Sequence, residues 1–205
     1  MNRSARLAPW LAVAALVGCA ATNISSAWKD PAAGSAPFKK VMVVAMSQDV
    51  SMRRVAEDTF VKSLPKDVQG VTSYTYIPED ELKDVAKVKE RCTQGGIDGV
   101  VIYHLVSVDK ETRYVPGSTY YTSGAYPYYG SFGPYWGYSY GMVYEPGYVT
   151  EDKIVQIESN AYSVADEKLM WTVRSETINP GSAQQVIDEV VALTVQKLRE
   201  DKVIQ

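Results

Sequence analysis

The sequence predicts a single α/β domain, because segments with strand patterns alternate with segments with helix patterns from residue 41 onward. The predicted order is β-α-β-α-β, then an insertion at 114–148, then β-β-α. Strands joined by helices favour parallel neighbours through right-handed crossovers, and a hairpin near the end adds antiparallel strands. The expected architecture is therefore a mixed sheet with helices packed on it.

The first half of this order rests on four segments. A continuous apolar run at 41–46 is typical of a buried strand, and 52–64 has apolar residues at the spacing of an amphipathic helix. The segment 71–77 is rich in Thr, Val and Tyr and is predicted as the second strand. An acidic start and an apolar stripe predict a second helix over 79–92, which Gly95 and Gly96 end.

The second half contains the clearest strand and the last helix. Strands are predicted at 100–109, 153–164 and 168–177. The last two are separated by Ala, Asp and Glu at 165–167, which predict a hairpin turn. The final helix is predicted over 182–202, and Ser182 and Gln185 stand at the spacing of a capping box.

The amino terminus has the pattern of a secretory signal, with two arginines and a short apolar run before Gly18 and Cys19. The cysteine at the cleavage point makes this segment resemble a bacterial lipoprotein signal. The apolar stretch is shorter than the ~20 residues needed to cross a bilayer. We therefore expect removal of residues 1–18 and lipid attachment at Cys19, followed by a flexible tether over 19–37 and a periplasmic domain over 38–205.

Two further residues bear on this segment. Ala20 and not Asp follows the cysteine, which in Gram-negative bacteria resembles sorting to the outer membrane. The expected location is thus the outer membrane, lipid-anchored and facing the periplasm. Residues 20–37 are rich in Ala, Ser, Gly and Pro, which predicts flexibility. Trp28 is the exception in this stretch, and it either docks on the domain or rests near the lipid headgroups.

Charge and cysteine content exclude several classes of protein. Without residues 1–18 the chain has 187 residues, with 19 basic and 24 acidic side chains. This mildly acidic balance predicts no binding to nucleic acid, which requires clustered Lys and Arg. With Cys19 lipidated, Cys92 is the one remaining thiol and no intramolecular disulfide can form. Because Cys92 is in phase with the apolar stripe of its helix, we interpret it as a buried residue and not as a reactive thiol.

No pattern of catalytic or metal-binding residues emerges, so we expect no catalytic residue, no metal and no cofactor. His104 is the single histidine, which excludes N/S zinc clusters, and we interpret it as a core or edge histidine with a hydrogen-bond partner. Nucleophile-elbow and phosphate-loop motifs are absent. The acidic groups 57–58 and 79–81 are assigned to solvated helix faces or helix starts. Asp49 follows the first strand, where α/β folds often bind ligands.

The insertion 114–148 has an unusual composition. It holds 11 of the 15 tyrosines, seven glycines and four prolines, and Glu145 is its one charged residue. Gly and Pro argue against a helix or regular strand, whereas tyrosine suits wet interfaces and sugar stacking. Three alternatives stay open: self-packing or disorder, a protein or subunit interface, and contact with glycan, peptidoglycan or a membrane surface. The candidate interaction residues are Tyr120, Tyr121, Tyr126, Tyr128, Tyr129, Tyr135, Trp136, Tyr138 and Tyr140.

Several short segments resemble uncharacterised lipoproteins of the bacterial cell envelope. They are the signal, Trp28-Lys29-Asp30-Pro31, the strand at 40–44 and Tyr114-Val115-Pro116-Gly117. The element order is also similar to the periplasmic α/β domains of the TolB amino-terminal and curli-secretion lipoprotein type. That resemblance implies binding to other proteins in envelope assembly, and in some members ring formation. The Tyr-rich insertion departs from the pattern of those domains.

Together these features predict a non-enzymatic lipoprotein that binds envelope proteins or its own copies through the Tyr-rich loop. The alternative is a peptidoglycan- or glycan-binding module that uses stacked tyrosines. The membrane itself is an expected partner through the lipid on Cys19.

Overall fold

A six-stranded mixed sheet forms the centre of the structure, a computed structural model that describes residues 21–31, 36–121 and 142–205. A separate two-stranded sheet continues from it. The strands are β1 (Ala21–Lys29), β2 (Lys40–Met46), β3 (Gln69–Thr72), β4 (Gly99–Val115), β5 (Ser118–Tyr121), β6 (Met142–Glu145), β7 (Tyr148–Ser163) and β8 (Leu169–Ile178). The helices are α1 (Val50–Ser63), α2 (Ser73–Tyr76), α3 (Val85–Gln94) and α4 (Ala183–Glu200).

The strand order in the large sheet is β1-β8-β7-β4-β2-β3. β2 runs parallel to both β3 and β4, as right-handed crossovers through α1 and α3 allow. β4, β7, β8 and β1 are successively antiparallel. The predicted mixed α/β architecture is confirmed.

The main core lies between the sheet and the helices α1 and α4. Alternate residues of the strands point to this face, so that every second position is buried. Its largest enclosed side chains include Phe60, Val101, Trp171, Val173 and Leu198. Ser182 caps α4 through a 3.1 Å hydrogen bond from the Gln185 N–H. The Gln185 side-chain oxygen accepts a hydrogen bond from the Gly181 N–H, which lies one residue earlier than the donor of a standard capping box.

A smaller core lies on the opposite face, under α3. Cys92 is 1% exposed there and packs with Met42 and Ile97, so its predicted burial is confirmed. The end of α3 is a Schellman motif, in which the Gly96 N–H bonds to Thr93 O and the Ile97 N–H bonds to Cys92 O. Gly96 has φ +63°, which explains the glycine.

Two predicted elements differ in their bounds. The strand expected over 71–77 ends at Thr72, and Ser73–Tyr76 forms the short helix α2, because a buried carboxylate binds Ser73 and the Tyr74 N–H. The helix expected from residue 79 begins at Val85, where Asp84 accepts hydrogen bonds from the first turn.

The expected flexible tether is wrong for residues 21–29. They form β1, which pairs antiparallel with β8 along its length. Without β1, β8 would be an open edge of the sheet, and pairing to such an edge uses backbone groups that any sequence supplies. Thr22 adds hydrogen bonds to Thr177 (2.8 Å) and Glu189 (2.6 Å). Trp28 is therefore held on the domain, although its side chain is half exposed.

The ends of the insertion also form strands, contrary to the expectation that Gly and Pro would prevent them. β4 continues to Val115 and β7 begins at Tyr148, while β5 and β6 pair with each other. The residues 122–141 lie outside the described part of the chain.

Candidate interaction surface

A two-stranded ribbon extends beyond the other strands of the sheet. β2 pairs with β4 only as far as His104, and β8 pairs with β7 only as far as Ile154. β4 and β7 continue to pair with each other up to Val115 and Tyr148. We call the segments 110–121 and 142–153 the β-arm. Its six residue pairs in β4 and β7 span about 20 Å, before β5 and β6 begin.

Two Pro-Gly pairs join the two parts of the β-arm. Gly117 and Gly147 approach each other so closely that a Cβ on Gly147 would lie 2.8 Å from the Gly117 nitrogen. A Cβ on Gly117 would lie 2.5 Å from the Glu145 carbonyl oxygen. Glycine is therefore required at both positions for β5 and β6 to follow the first part of the ribbon.

The β-arm displays apolar and aromatic side chains to solvent. Tyr114 is 65% exposed and Val149, opposite it in the ladder, is 63% exposed. Tyr144 and Tyr148 are also more than half exposed. Two ion pairs lie near the base of the ribbon, with Lys110 Nζ 2.6 Å from Glu151 and Arg113 Nη2 3.9 Å from Asp152.

An apolar groove of about 310 Å³ opens at the base of the β-arm. It lies between the sheet and the first turns of α1 and α4, and its apolar lining includes Met52, Leu105, Val108, Val155, Ile157 and Ile187. Tyr103 also lines it, and burial raises the pKa of this phenol well above its usual range. Lys153 is the charged residue of the lining.

The predicted interaction residues fall largely beyond the described chain. The backbones of Tyr120 and Tyr121 belong to β5. Cys19 lies outside the described residues, as do the remaining predicted contacts: Tyr126, Tyr128, Tyr129, Tyr135, Trp136, Tyr138 and Tyr140. Tyr114, Tyr144 and Tyr148 are further exposed tyrosines of the described surface. The composition of 114–148 marks the whole insertion as unusual but does not single out these three residues.

Comparison with known proteins gives low structural similarity. No family model and no curated protein matches the chain. A PelC dodecamer from Paraburkholderia phytofirmans is 11% identical with a TM-score of 0.44, covering 90% of this chain and 100% of that one. Lipoprotein GNA1162 from Neisseria meningitidis is 11% identical with a TM-score of 0.38, covering 78% of this chain and 98% of that one. TM-scores below 0.5 do not establish a common fold.

Asp49 and Glu81, two of the acidic residues noted in the sequence, have structural partners. Asp49 caps α1, where one carboxylate oxygen accepts bonds from Ser51 N (2.8 Å) and Met52 N (3.1 Å). Glu81 pairs with Arg91, which lowers the pKa of Glu81 mainly through their hydrogen bonds. Within the described ranges, no group of three His, Cys, Asp or Glu side chains could hold a metal ion. No described helix is long and apolar enough to cross a membrane.

The assignment of Glu57 to a solvated helix face is wrong. Its side chain is completely buried and accepts hydrogen bonds from Ala45 N, Arg53 Nε, Ser73 Oγ and Tyr74 N. The sequence does not reveal this cluster, because three of the four donors lie outside α1. Ala45 belongs to β2, and Ser73 and Tyr74 belong to α2. The i, i+4 spacing of Arg53 and Glu57 was the available signal.

His104 is interpreted from the sequence as a core or edge histidine, and the core alternative is wrong. His104 is exposed on the face of the sheet opposite α4. α3 packs on this face but does not cover His104. Its neighbour across the ladder is Glu158. Asn160 and then Arg174 hydrogen-bond to Glu158 and lower the pKa of this carboxyl, and the charge of His104 contributes least. The cluster is a surface ion-pair network.

Proposed function

We propose that this protein is a non-enzymatic lipoprotein of the bacterial outer membrane, anchored through Cys19 and facing the periplasm. Its β-arm contacts envelope proteins or further copies of the same chain. The observation that carries the proposal is the exposure of Tyr114, Tyr144, Tyr148 and Val149 on a ribbon that extends beyond the sheet. Aromatic side chains are enriched at protein interfaces, and Tyr114 and Val149 form one exposed pair across the ribbon.

The backbone of the β-arm supports the same function. Along 110–115 the ribbon has lost its pairing with β2, and along 148–153 it has lost its pairing with β8. Apart from Lys153, whose backbone N–H and carbonyl both bond to Asn179, the outer edges of this part of the ribbon therefore present backbone donors and acceptors. Such edges accept an added strand from a partner, while the alternate side chains provide specificity.

Removal of the outer part of the β-arm tests this function. Val115 and Tyr148 are paired, so deletion of 118–145 leaves Pro116-Gly117-Pro146-Gly147 as a four-residue hairpin connection. We expect a smaller sedimentation coefficient or loss of a captured envelope protein, with unchanged thermal unfolding. The matched control is Val85→Ser, which removes an exposed apolar side chain from α3. Unchanged assembly and capture after the deletion combined with Tyr114→Ser, Tyr148→Ser and Val149→Ser would contradict the proposal.

The second candidate function is binding of peptidoglycan or another glycan, which the exposed tyrosines of the β-arm favour because phenol rings stack on sugars. Co-sedimentation with purified sacculi tests it. Binding that is lost in the triple variant Tyr114→Ser, Tyr144→Ser, Tyr148→Ser supports this function. Absence of co-sedimentation by the unaltered protein excludes it.

A further inference from the structure

We propose that the end of the domain from which the β-arm projects faces the lipid bilayer, and that its exposed apolar side chains contact the headgroup layer. This inference rests on lipid attachment at Cys19, which belongs to the proposed function. It adds the orientation of the domain and identifies the lipid surface as the partner of one particular end of the sheet.

The strand register places the start of β1 at the base of the β-arm. Ala21 is opposite Ile178 in β8, Ile178 is opposite Ile154 in β7, and Ile154 is opposite Asp109 in β4. These four residues form one row across the sheet, next to the first residues of the ribbon. The chain therefore enters the sheet at the end from which the β-arm leaves it.

The distance from the lipid to this row is short. Cys19 is two residues before Ala21, and two residues span at most about 7 Å. A free tether of 18 residues would instead reach about 60 Å. β1 also holds to the domain through side chains, since Thr22 bonds to Glu189 and Thr177. A lipid on Cys19 thus keeps this end of the sheet close to the bilayer surface.

Exposed large apolar side chains gather at the same end. Met46 ends β2 and is 61% exposed, and Val50 begins α1 directly after it. Leu105 and Val108 lie at the base of the β-arm and are half exposed, and Ile178 ends β8. The groove between α1 and α4 opens among these residues. Outside the β-arm, the other described residues of this kind are Ile24 in β1, Val106 in β4, Trp28, Val55 and Val85.

The side chains of the β-arm suit the boundary between lipid and water. Tyrosine is enriched at headgroup depth because its ring is apolar and its hydroxyl is polar. The paired charges at the base of the ribbon, Lys110–Glu151 and Arg113–Asp152, can remain hydrated at that depth. The ribbon extends about 20 Å beyond a row that the lipid holds within about 7 Å of the bilayer. The β-arm therefore lies along the headgroup layer and does not point into the hydrocarbon.

Site-specific quenching of the lipidated full-length protein in vesicles tests the orientation. Three variants, Ile178→Cys, Val108→Cys and Trp28→Cys, each add one exposed thiol for a fluorophore, while Cys92 stays buried. Trp28 lies at the far end of β1 and is the matched control. The vesicles contain phosphatidylethanolamine and phosphatidylglycerol with a nitroxide-labelled lipid. We expect quenching at positions 178 and 108 at least about twofold greater than at position 28.

The outcomes separate this inference from the proposed function. Mass spectrometry of the amino-terminal peptide first establishes the lipid on Cys19, and an unmodified Cys19 overturns both proposals. With the lipid present, equal quenching at the three positions, or greater quenching at position 28, overturns the orientation alone. Partner capture by the β-arm is measured separately and does not depend on this result.

Discussion

The Ser73 hydroxyl donates a 2.7 Å hydrogen bond to Glu57 Oε1, and both side chains are completely enclosed. The same oxygen accepts from Ala45 N at 3.1 Å and from Arg53 Nε at 3.2 Å. Its partner oxygen accepts from Tyr74 N at 3.3 Å. One carboxylate therefore joins α1 to the end of β2 and to the first turn of α2.

Replacement of Glu57 is expected to be strongly destabilising. Glu57→Ala leaves Arg53 without its ion-pair partner and leaves the Ala45 N–H and the Ser73 hydroxyl without their acceptor. Removal of one member of a buried ion pair costs about 3–5 kcal/mol. Urea unfolding measures the loss, with Glu79→Ala, an exposed acidic residue, as the control that changes stability by less than about 0.5 kcal/mol. Equal effects of the two substitutions would show that the network is not structural.

Local periodicity was sufficient to predict most of the fold. The apolar run of β2, the stripe of α1 and the capping residue of α4 are all readable over short windows of sequence. α2 and β1 are different cases. α2 replaces a predicted strand because Glu57, 16 residues earlier, binds Ser73, and β1 forms by pairing to β8, about 150 residues later. Such long-range partners leave no local pattern.

The candidate surface was predictable in part. The composition of 114–148 indicates an unusual segment, but it gives no sign that Tyr114 and Val149 pair at the end of a ribbon. The polar residues of 107–113 and 150–153 interrupt any simple strand alternation there. The position of Cys19 relative to this surface depends on the register of β1, which only the folded sheet defines.

Hydrogen exchange distinguishes a paired β1 from a flexible tether. The backbone N–H groups of β1 that bond to β8 are expected to exchange at least about tenfold more slowly than those of an unpaired peptide of the same sequence. Mass spectrometry of peptides covering 21–29 measures this protection. Thr22→Ala, which removes the bonds to Thr177 and Glu189, should reduce it near the start of the strand. Random-coil exchange throughout 21–29 would contradict the strand.

Glu158 makes stability depend on acidic pH. Asn160 Nδ2 donates to Glu158 Oε1 at 2.8 Å and Arg174 donates to Oε2 at 3.2 Å, so the pKa of Glu158 falls below its ordinary value of 4.5. The charged form is favoured by folding, and its contribution is therefore present above the ordinary pKa and lost as the pH falls through the lowered one.

Asn160→Ala is expected to raise the pKa of Glu158 toward its ordinary value and to weaken the loss of stability on acidification. Carboxyl NMR titration of Glu158 measures the first effect, and urea unfolding at neutral and acidic pH measures the second. Gln196→Ala is the control, because that amide bonds to Glu200 on an exposed face of α4. An unchanged Glu158 titration in Asn160→Ala would contradict the assignment.

The thiol of Cys92 is expected to be unreactive in the folded protein. It is buried with Met42, Ile77 and Ile97, and burial raises the pKa of the thiol, which suppresses the nucleophilic thiolate. In a chain that begins at Ala20, N-ethylmaleimide should modify Cys92 at least about a hundredfold faster in concentrated urea than in buffer, because reaction requires opening of the structure. Equal rates in the two conditions would place Cys92 at the surface.

Lys202 occupies a backbone conformation that favours glycine, with φ +57° at the end of α4. The Lys202 N–H bonds to Arg199 O at 3.0 Å and the Val203 N–H to Leu198 O at 2.8 Å, which is the same motif that Gly96 completes after α3. The left-handed conformation destabilises a residue with a side chain by about 1–2 kcal/mol. Glycine avoids this strain, but it loses more backbone entropy on folding, which offsets part of the gain. We therefore expect Lys202→Gly to raise the free energy of unfolding by about 0.5–1 kcal/mol.

Gly96→Ala is the reverse substitution at the equivalent position after α3. Its Cβ would meet no atom within 4 Å, so the change tests the backbone conformation alone. It should lower the free energy of unfolding by about 1 kcal/mol, and urea denaturation curves that move in the same direction for both variants would contradict this account.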